Sequence, residues 1–218
     1  MDEYRQMFQQ RCRGSRRYNS DNISFLEEYV KVQCETGGYD LDANLTLLKL
    51  YQLNPASFSD SIVTRILLLC LKALPKSDML LAKCLIDADR VESEGANTIK
   101  MVYNLSELLE TCKLKEVWEN MEELLASVDI VAGFREAIQA FAARVIGITY
   151  QNIDTALLRD LLGNPDDESF NQLVKTHGWK LNGDVAFITN HEATIKSRSI
   201  EEKIELADIQ HIIRKMLA

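Results

Sequence analysis

The chain is short of everything that interrupts a fold and of most things that catalyse. Its 218 residues include nine glycines and three prolines, too few for a long flexible linker. Its three histidines, His177, His191 and His211, lie far apart, and no cysteine or carboxylate accompanies them at metal-ligand spacing. The sequence has no glycine-rich phosphate loop, no HExxH and no GxSxG. No enzyme is expected, and neither a cofactor nor a metal.

Positive charge is also scarce. Twenty-five Lys and Arg face 33 Asp and Glu, a net charge of −8. Such a balance argues against a general binder of nucleic acid or of anionic membranes. No apolar run approaches the roughly 18 residues of a membrane span. The longest, Ile66 to Leu71, is closed by Arg65 and Lys72. The first residues hold no apolar stretch of signal-peptide type. The five cysteines, Cys12, Cys34, Cys70, Cys84 and Cys112, are odd in number and form no CxxC pair. They read as small buried hydrophobes in a reducing compartment. A cytoplasmic protein is expected, and a nuclear presence is compatible with the same features.

Apolar residues are plentiful, at 46%, and their spacing is informative. From residue 19 to 130 the periodicity predicts six helices, near 20–35, 41–53, 59–74, 78–91, 98–112 and 115–128. Starts recur every 17 to 20 residues, so consecutive helices pair into hairpins, as in helical-repeat stacks of HEAT or TPR type. The third helix is apolar nearly all round, with Ile62, Val63, Ile66, Leu67, Leu68, Leu69, Leu71 and Leu74. It belongs in the centre, covered on both sides. A seventh helix over 133–148 carries Phe134, Ile138, Phe141, Val145 and Ile148 on one face.

Residues 131–190 then read as a winged helix. Tyr150–Ile153 is a short extended lead-in. Asp154 caps a helix with Leu157, Leu158, Leu161 and Leu162 inward. Gly163-Asn164-Pro165 breaks it. A second helix opens at Asp166-Asp167-Glu168, buries Phe170, Leu173 and Val174, and stops at His177-Gly178. Two alternating runs around Asn182-Gly183 form a hairpin. This second helix is a poor reader of DNA, because three acids open it and Lys175 is its one firm positive charge. Direct nucleic-acid binding is not expected, and the module should meet protein.

Two stretches flank this body. Residues 1–18 are a basic arm in which Arg11, Arg13, Arg16 and Arg17 offer a contact to an acidic partner or to RNA phosphates. Residues 191–218 are a polar connector followed by an amphipathic helix. Ile200, Ile204, Ile209, Ile212, Ile213 and Met216 recur along one stripe of that helix, a surface suited to docking on partner helices.

Helical repeats running into a winged helix are the layout of the PCI module. Particular stretches narrow the likeness. Tyr39-Asp-Leu-Asp-Ala-Asn-Leu-Thr-Leu-Leu-Lys-Leu-Tyr-Gln-Leu-Asn-Pro55 closely resembles a motif of the subunit k family of eukaryotic translation initiation factor three. So do Arg17-Tyr18-Asn19, Leu108–Cys112 with Trp118 beyond it, Gly147–Ile153, Gly178-Trp179 and Ile200–Ile204. The likeness covers residue 17 to the end, while residues 1–16 and Glu92–Asn97 match less well. It implies a mainly α, PCI-like scaffold subunit without catalysis, in a cytoplasmic assembly that binds the small ribosomal subunit. It implies partnership with other subunits of that factor, especially subunit l, and a C-terminal helix that joins a multi-subunit bundle. Alternatives are a small PCI subunit of the COP9 signalosome or proteasome lid, and a nucleic-acid-binding winged-helix adaptor.

Overall fold

The computed structural model describes residues 1–92, 97–127, 131–191 and 206–216, and the chain divides into two compact units, Met1–Ile188 and Thr189–Ala218. The first unit opens with α1 (Asp2–Arg11) and two short 3-10 turns, Gly14–Tyr18 and Ser20–Asn22. Then come α2 (Ile23–Thr36), α3 (Leu41–Leu53), α4 (Asp60–Lys72), α5 (Asp78–Lys83), α6 (Ala88–Glu92), α7 (Asn97–Glu110), α8 (Leu114–Ser127) and α9 (Phe134–Thr149). α2 packs with α3, α4 with α5 and α7 with α8, while α4 also meets α2, α7 and α9.

The composition of α4 explains its place. Every residue from Ile62 to Leu71 except Arg65 is buried. Each large aliphatic side chain among them contributes about 1.5–3 kcal/mol by leaving water. A helix apolar on all sides gains this only when neighbours surround it, and α2, α5, α7 and α9 do so. At its end, Lys72 Nζ donates to the carbonyls of Gly37 (2.9 Å) and Ala132 (2.7 Å). The Ala132 amide donates in turn to the Cys34 carbonyl at 3.0 Å. The end of α2, the end of α4 and the start of α9 are thus fastened at one point.

The Tyr39–Pro55 stretch proves to be a buried polar frame. The Asp40 side chain caps α3 by accepting from the Ala43 amide at 3.2 Å, and it also accepts from the Tyr29 hydroxyl at 3.0 Å. Gln33 and Asn44, both fully buried, exchange amide hydrogen bonds of 2.9 and 3.2 Å, and Gln33 Oε1 accepts from the Asp40 amide. Tyr39 donates to Asp78 on α5 at 2.7 Å and Tyr51 to Glu27 on α2 at 2.6 Å. Polar atoms inside a core are costly unless paired, so these partners set one register between α2, α3 and α5.

Two features depart from the sequence reading. The helix expected over 78–91 is split: α5 ends at Lys83 and α6 begins at Ala88. Between them the Leu85 and Ile86 amides turn back onto Ala82 and Lys83 at 3.0 and 3.3 Å, which carries Ile86 into the core. Residues 1–18, read as a basic arm, include a helix packed against the body. Tyr4, Phe8 and Cys12 follow one another at four-residue steps; Phe8 and Cys12 are buried, and Tyr4 stacks on Phe25 and Tyr29 at 6.0 and 5.5 Å.

The winged helix comprises β1 (Asn152–Asp154), α10 (Thr155–Leu161), α11 (Asp167–His177), β2 (Lys180–Asn182) and β3 (Val185–Phe187). The strands form one antiparallel sheet in the order β1-β3-β2, with Ile153 and Leu181 both opposite Ala186. The extended lead-in is therefore the third strand. Asp154 caps α10 by accepting from the Ala156 and Leu157 amides at 2.8 and 3.2 Å, and Gly178 ends α11 in the left-handed region. In the second unit, α12 runs over Leu206–Met216.

Candidate functional site

The first element of the site is the joint that carries the winged helix. A helix end leaves carbonyls without intrahelical partners, and α8 and α9 supply donors for those of α10. Trp118 Nε1 donates to the Leu161 carbonyl at 2.9 Å, Gln139 Nε2 to that of Leu162 at 3.1 Å, and Arg135 Nη2 to that of Gly163 at 3.2 Å. Lys115 pairs with Asp160 at 3.1 Å across the same joint. The Arg135 guanidinium lies 5.6 Å from the Trp118 ring centre. Three of these bonds go to main chain, so the repeat stack presents the module in one orientation.

The second element is α11, the position from which a DNA-reading winged helix would probe a groove. Its first turn carries Asp167 and Glu168. Asp166 precedes them and accepts from the Ser169 amide at 3.2 Å, and hydrogen bonding there holds its carboxyl below the usual range. The nearby Arg159 pairs with Asp167 at 2.8 Å and covers the Phe170 ring at 4.1 Å. The end of this helix is thus acidic, and phosphate is repelled where a reader would need to attract it.

The four arginines do not act as one patch. Arg17 pairs with Asp42 at 2.5 Å and donates to the Cys12 carbonyl, and Arg11 lies over Phe25 at 4.9 Å. Arg13 and Arg16 are exposed and line a shallow recess with Gln6, Gln9 and Gln10.

The apolar stripe of the last helix is described in part. Ile200 and Ile204 lie outside the described residues, as does the side chain of Ile212. Ile209 is half-buried, Ile213 is exposed and Met216 is 81% exposed. Steps of three and four residues place Ile209, Ile213 and Met216 on one helix face.

Other exposed apolar side chains were not foreseen. Leu80 and Leu81 point outward on α5 because Met79 and Ala82 take the inward positions, and Ile148, Leu181 and Val185 are exposed around the winged helix. Four adjacent apolar residues on a helix cannot all face one core, and that is the signal the sequence offered at Met79–Ala82. Among the described residues, no group of three His, Cys, Asp or Glu side chains comes together as a metal site.

Residues 57–199 match the model of the CSN8/PSMD8/EIF3K family. The chain belongs to that family. A member from Nematostella vectensis, named eukaryotic translation initiation factor 3 subunit K, is 42% identical over 97% of each chain. The protein of the same name from Danio rerio is 40% identical over 92% of this chain and 91% of its own, and that from Mus musculus is 38% identical over the same shares. Within the CSN8/PSMD8/EIF3K family these relatives extend the likeness through the Tyr39–Pro55 frame, which lies before the residues that the family model matches.

Proposed function

We propose that this protein is a non-catalytic scaffold subunit of eukaryotic translation initiation factor 3, working through protein–protein contacts. The observation that carries the reading is the likeness to proteins named subunit K along nearly the whole length of both chains. The acidic opening of α11 agrees with it, since a protein partner tolerates that charge and a DNA groove does not.

In this reading the winged helix, fixed by Trp118, Gln139 and Arg135, is the presented face. The stripe of Ile200, Ile204, Ile209, Ile212, Ile213 and Met216 docks on helices of other subunits, subunit l foremost. Arg13 and Arg16 offer an additional contact to an acidic partner. The protein works in the cytoplasm and reaches the small ribosomal subunit through the assembly it joins.

The test is affinity purification of the tagged protein after nuclease treatment, followed by mass spectrometry. Subunits of initiation factor 3 are expected in stoichiometric amount. Recovery of signalosome or proteasome-lid subunits in their place, or loss of all partners on nuclease treatment, would overturn the proposal. A second arm uses Ile213→Asp with Met216→Asp. Both side chains are exposed, so the thermal midpoint of the isolated protein should stay within about 2 °C while incorporation into the complex falls.

A further inference from the structure

Four arginines surround one exposed hydroxyl in the connection between α1 and α2. Arg11 and Arg13 stand four and two residues before Ser15, and Arg16 and Arg17 one and two after it. Arg11 and Arg17 are engaged, on Phe25 and on Asp42. The side chains of Arg13 and Arg16 have no hydrogen bond, ion pair or ring contact among the described residues.

The backbone around Ser15 is easily opened. Gly14–Tyr18 is a five-residue 3-10 turn that buries none of its side chains and has no side-chain cap. Protein kinases take their substrates as extended chain. Those directed by arginine recognise guanidinium groups on either side of the acceptor through carboxylates of their own cleft. Straightening this turn breaks the exposed Arg17–Asp42 pair, the bond from Arg17 to the Cys12 carbonyl, the bond from Asn22 to the Arg16 carbonyl and a few backbone bonds. The turn itself holds no core side chain, and the buried anchors Phe8 and Cys12 both precede it.

The neighbouring Ser20 is a weaker acceptor. Asp21 follows it directly, its 3-10 turn contains the buried Asn22, and side-chain bonds of Asn19 and Asn22 hold that turn to the Asp21 amide and the Arg16 carbonyl.

We propose that Ser15 is a phosphorylation site for an arginine-directed protein kinase, and that Arg13 and Arg16 hold the phosphate afterwards. In the transfer, Ser15 Oγ attacks the γ-phosphorus of magnesium-bound ATP. The new O–P bond forms as the bond from that phosphorus to the bridging oxygen of ADP breaks, and the hydroxyl proton passes to the kinase's catalytic carboxylate. The phosphate adds about −1.5 to −2 charge among four guanidinium groups. That charge roughly offsets the two guanidinium groups of Arg13 and Arg16, and the attraction of this surface for an anionic partner falls with it. That consequence rests on the contact proposed above for Arg13 and Arg16, whereas the site itself does not.

The experiment uses the full chain, a purified arginine-directed serine/threonine kinase and magnesium ATP. Intact-mass and fragment spectra should show one phosphoryl group on Ser15, lost in Ser15→Ala. In Arg13→Gln with Arg16→Gln, kcat/KM for phosphorylation should fall about tenfold or more. By phosphorus NMR, the second ionisation of the phosphoserine should lie below its ordinary value of about 6 and return toward it in the double variant. Phosphate on Ser20 with Ser15 unmodified, or transfer to Ser15 only in heat-denatured chain, would overturn the site. An ionisation unchanged by the double variant would overturn the role given to Arg13 and Arg16. None of these readouts needs the assembly, so they stand or fall apart from the proposed function.

Discussion

The Trp118 ring lies directly against Gly163. A Cβ built on that glycine would come within 2.6 to 2.8 Å of three ring carbons, and its φ of +79° already excludes most side chains. Both demands are met only by glycine. Gly163→Ala should destabilise the protein by about 3 kcal/mol, from backbone strain and overpacking together. Urea unfolding of the purified variant measures this. Wild-type stability would mean that the ring moves aside freely and that the joint is looser than its geometry indicates.

Trp118→Phe keeps an aromatic ring, though a smaller one than the indole, and removes the donor. The Leu161 carbonyl then loses its partner, at a cost of about 1–3 kcal/mol. The contrast with Gly163→Ala lies in proteolysis: cleavage should increase around Gly163–Pro165 while α2 to α4 stay protected.

The Gln33–Asn44 pair predicts a strong coupling. Either Gln33→Leu or Asn44→Leu leaves a fully buried amide without its partner, and each should cost about 2–3 kcal/mol. The double variant should cost clearly less than the sum, because the two orphaned groups disappear together. Strict additivity in a double-mutant cycle would show that the pair is not energetically linked.

Phe8→Ala should cost about 3 kcal/mol, since Phe8 is 4% exposed beneath the first helix. The same variant should open α1 to trypsin at Arg5, where the wild type resists. Rapid cutting of the wild type at Arg5 would show that α1 is not held.

Alkaline stability has a definite sign. Burial pushes Cys34 up to about 11 and Cys70 to about 12, and burial followed by the Asp40 carboxylate pushes Tyr29 to about 12. Each group is neutral in the fold at a pH where the unfolded chain already ionises. The stability they contribute is therefore complete below the ordinary thiol range and is lost as pH rises toward about 12. Urea midpoints should fall steadily from about pH 9 upward, and less steeply in Cys70→Ala. A flat profile over that interval would contradict the burial of these groups.

Much of the fold was legible because its signals are local. Asp154, Gly178 and Asn182-Gly183 specify a cap, a stop and a turn within a few residues of themselves. The all-round apolar character of α4 announces a central helix without reference to any neighbour. The split between α5 and α6 had no such marker: Cys84–Asp87 holds neither glycine nor proline, and the turn exists because Ile86 has a place in the core. The docking of α1 was readable in Tyr4, Phe8 and Cys12, but the surrounding arginines pointed to a solvated arm. The contact of Trp118 with Gly163 spans 45 residues, and only the folded chain brings them together. For the candidate site the position is similar. Helical phase placed Ile209, Ile213 and Met216 on one face, whereas the engagement of Arg11 and Arg17 depends on Phe25 and Asp42, which come from other elements.

The bond of Lys72 to Gly37 and Ala132 bears on how the chain reaches this fold. A linear array of hairpins can fold from any point, because each repeat touches only the next. Here one ammonium group draws together carbonyls 95 residues apart in the chain, around a helix that meets α2, α7 and α9 at once. Those contacts close long loops before they return any energy, which raises the contact order. Folding of this unit is then expected to be all-or-none, with a half-built stack of two hairpins unstable by itself. Newly synthesised chain should accordingly stay protease-sensitive until α9 has left the ribosome, and become resistant in a single step.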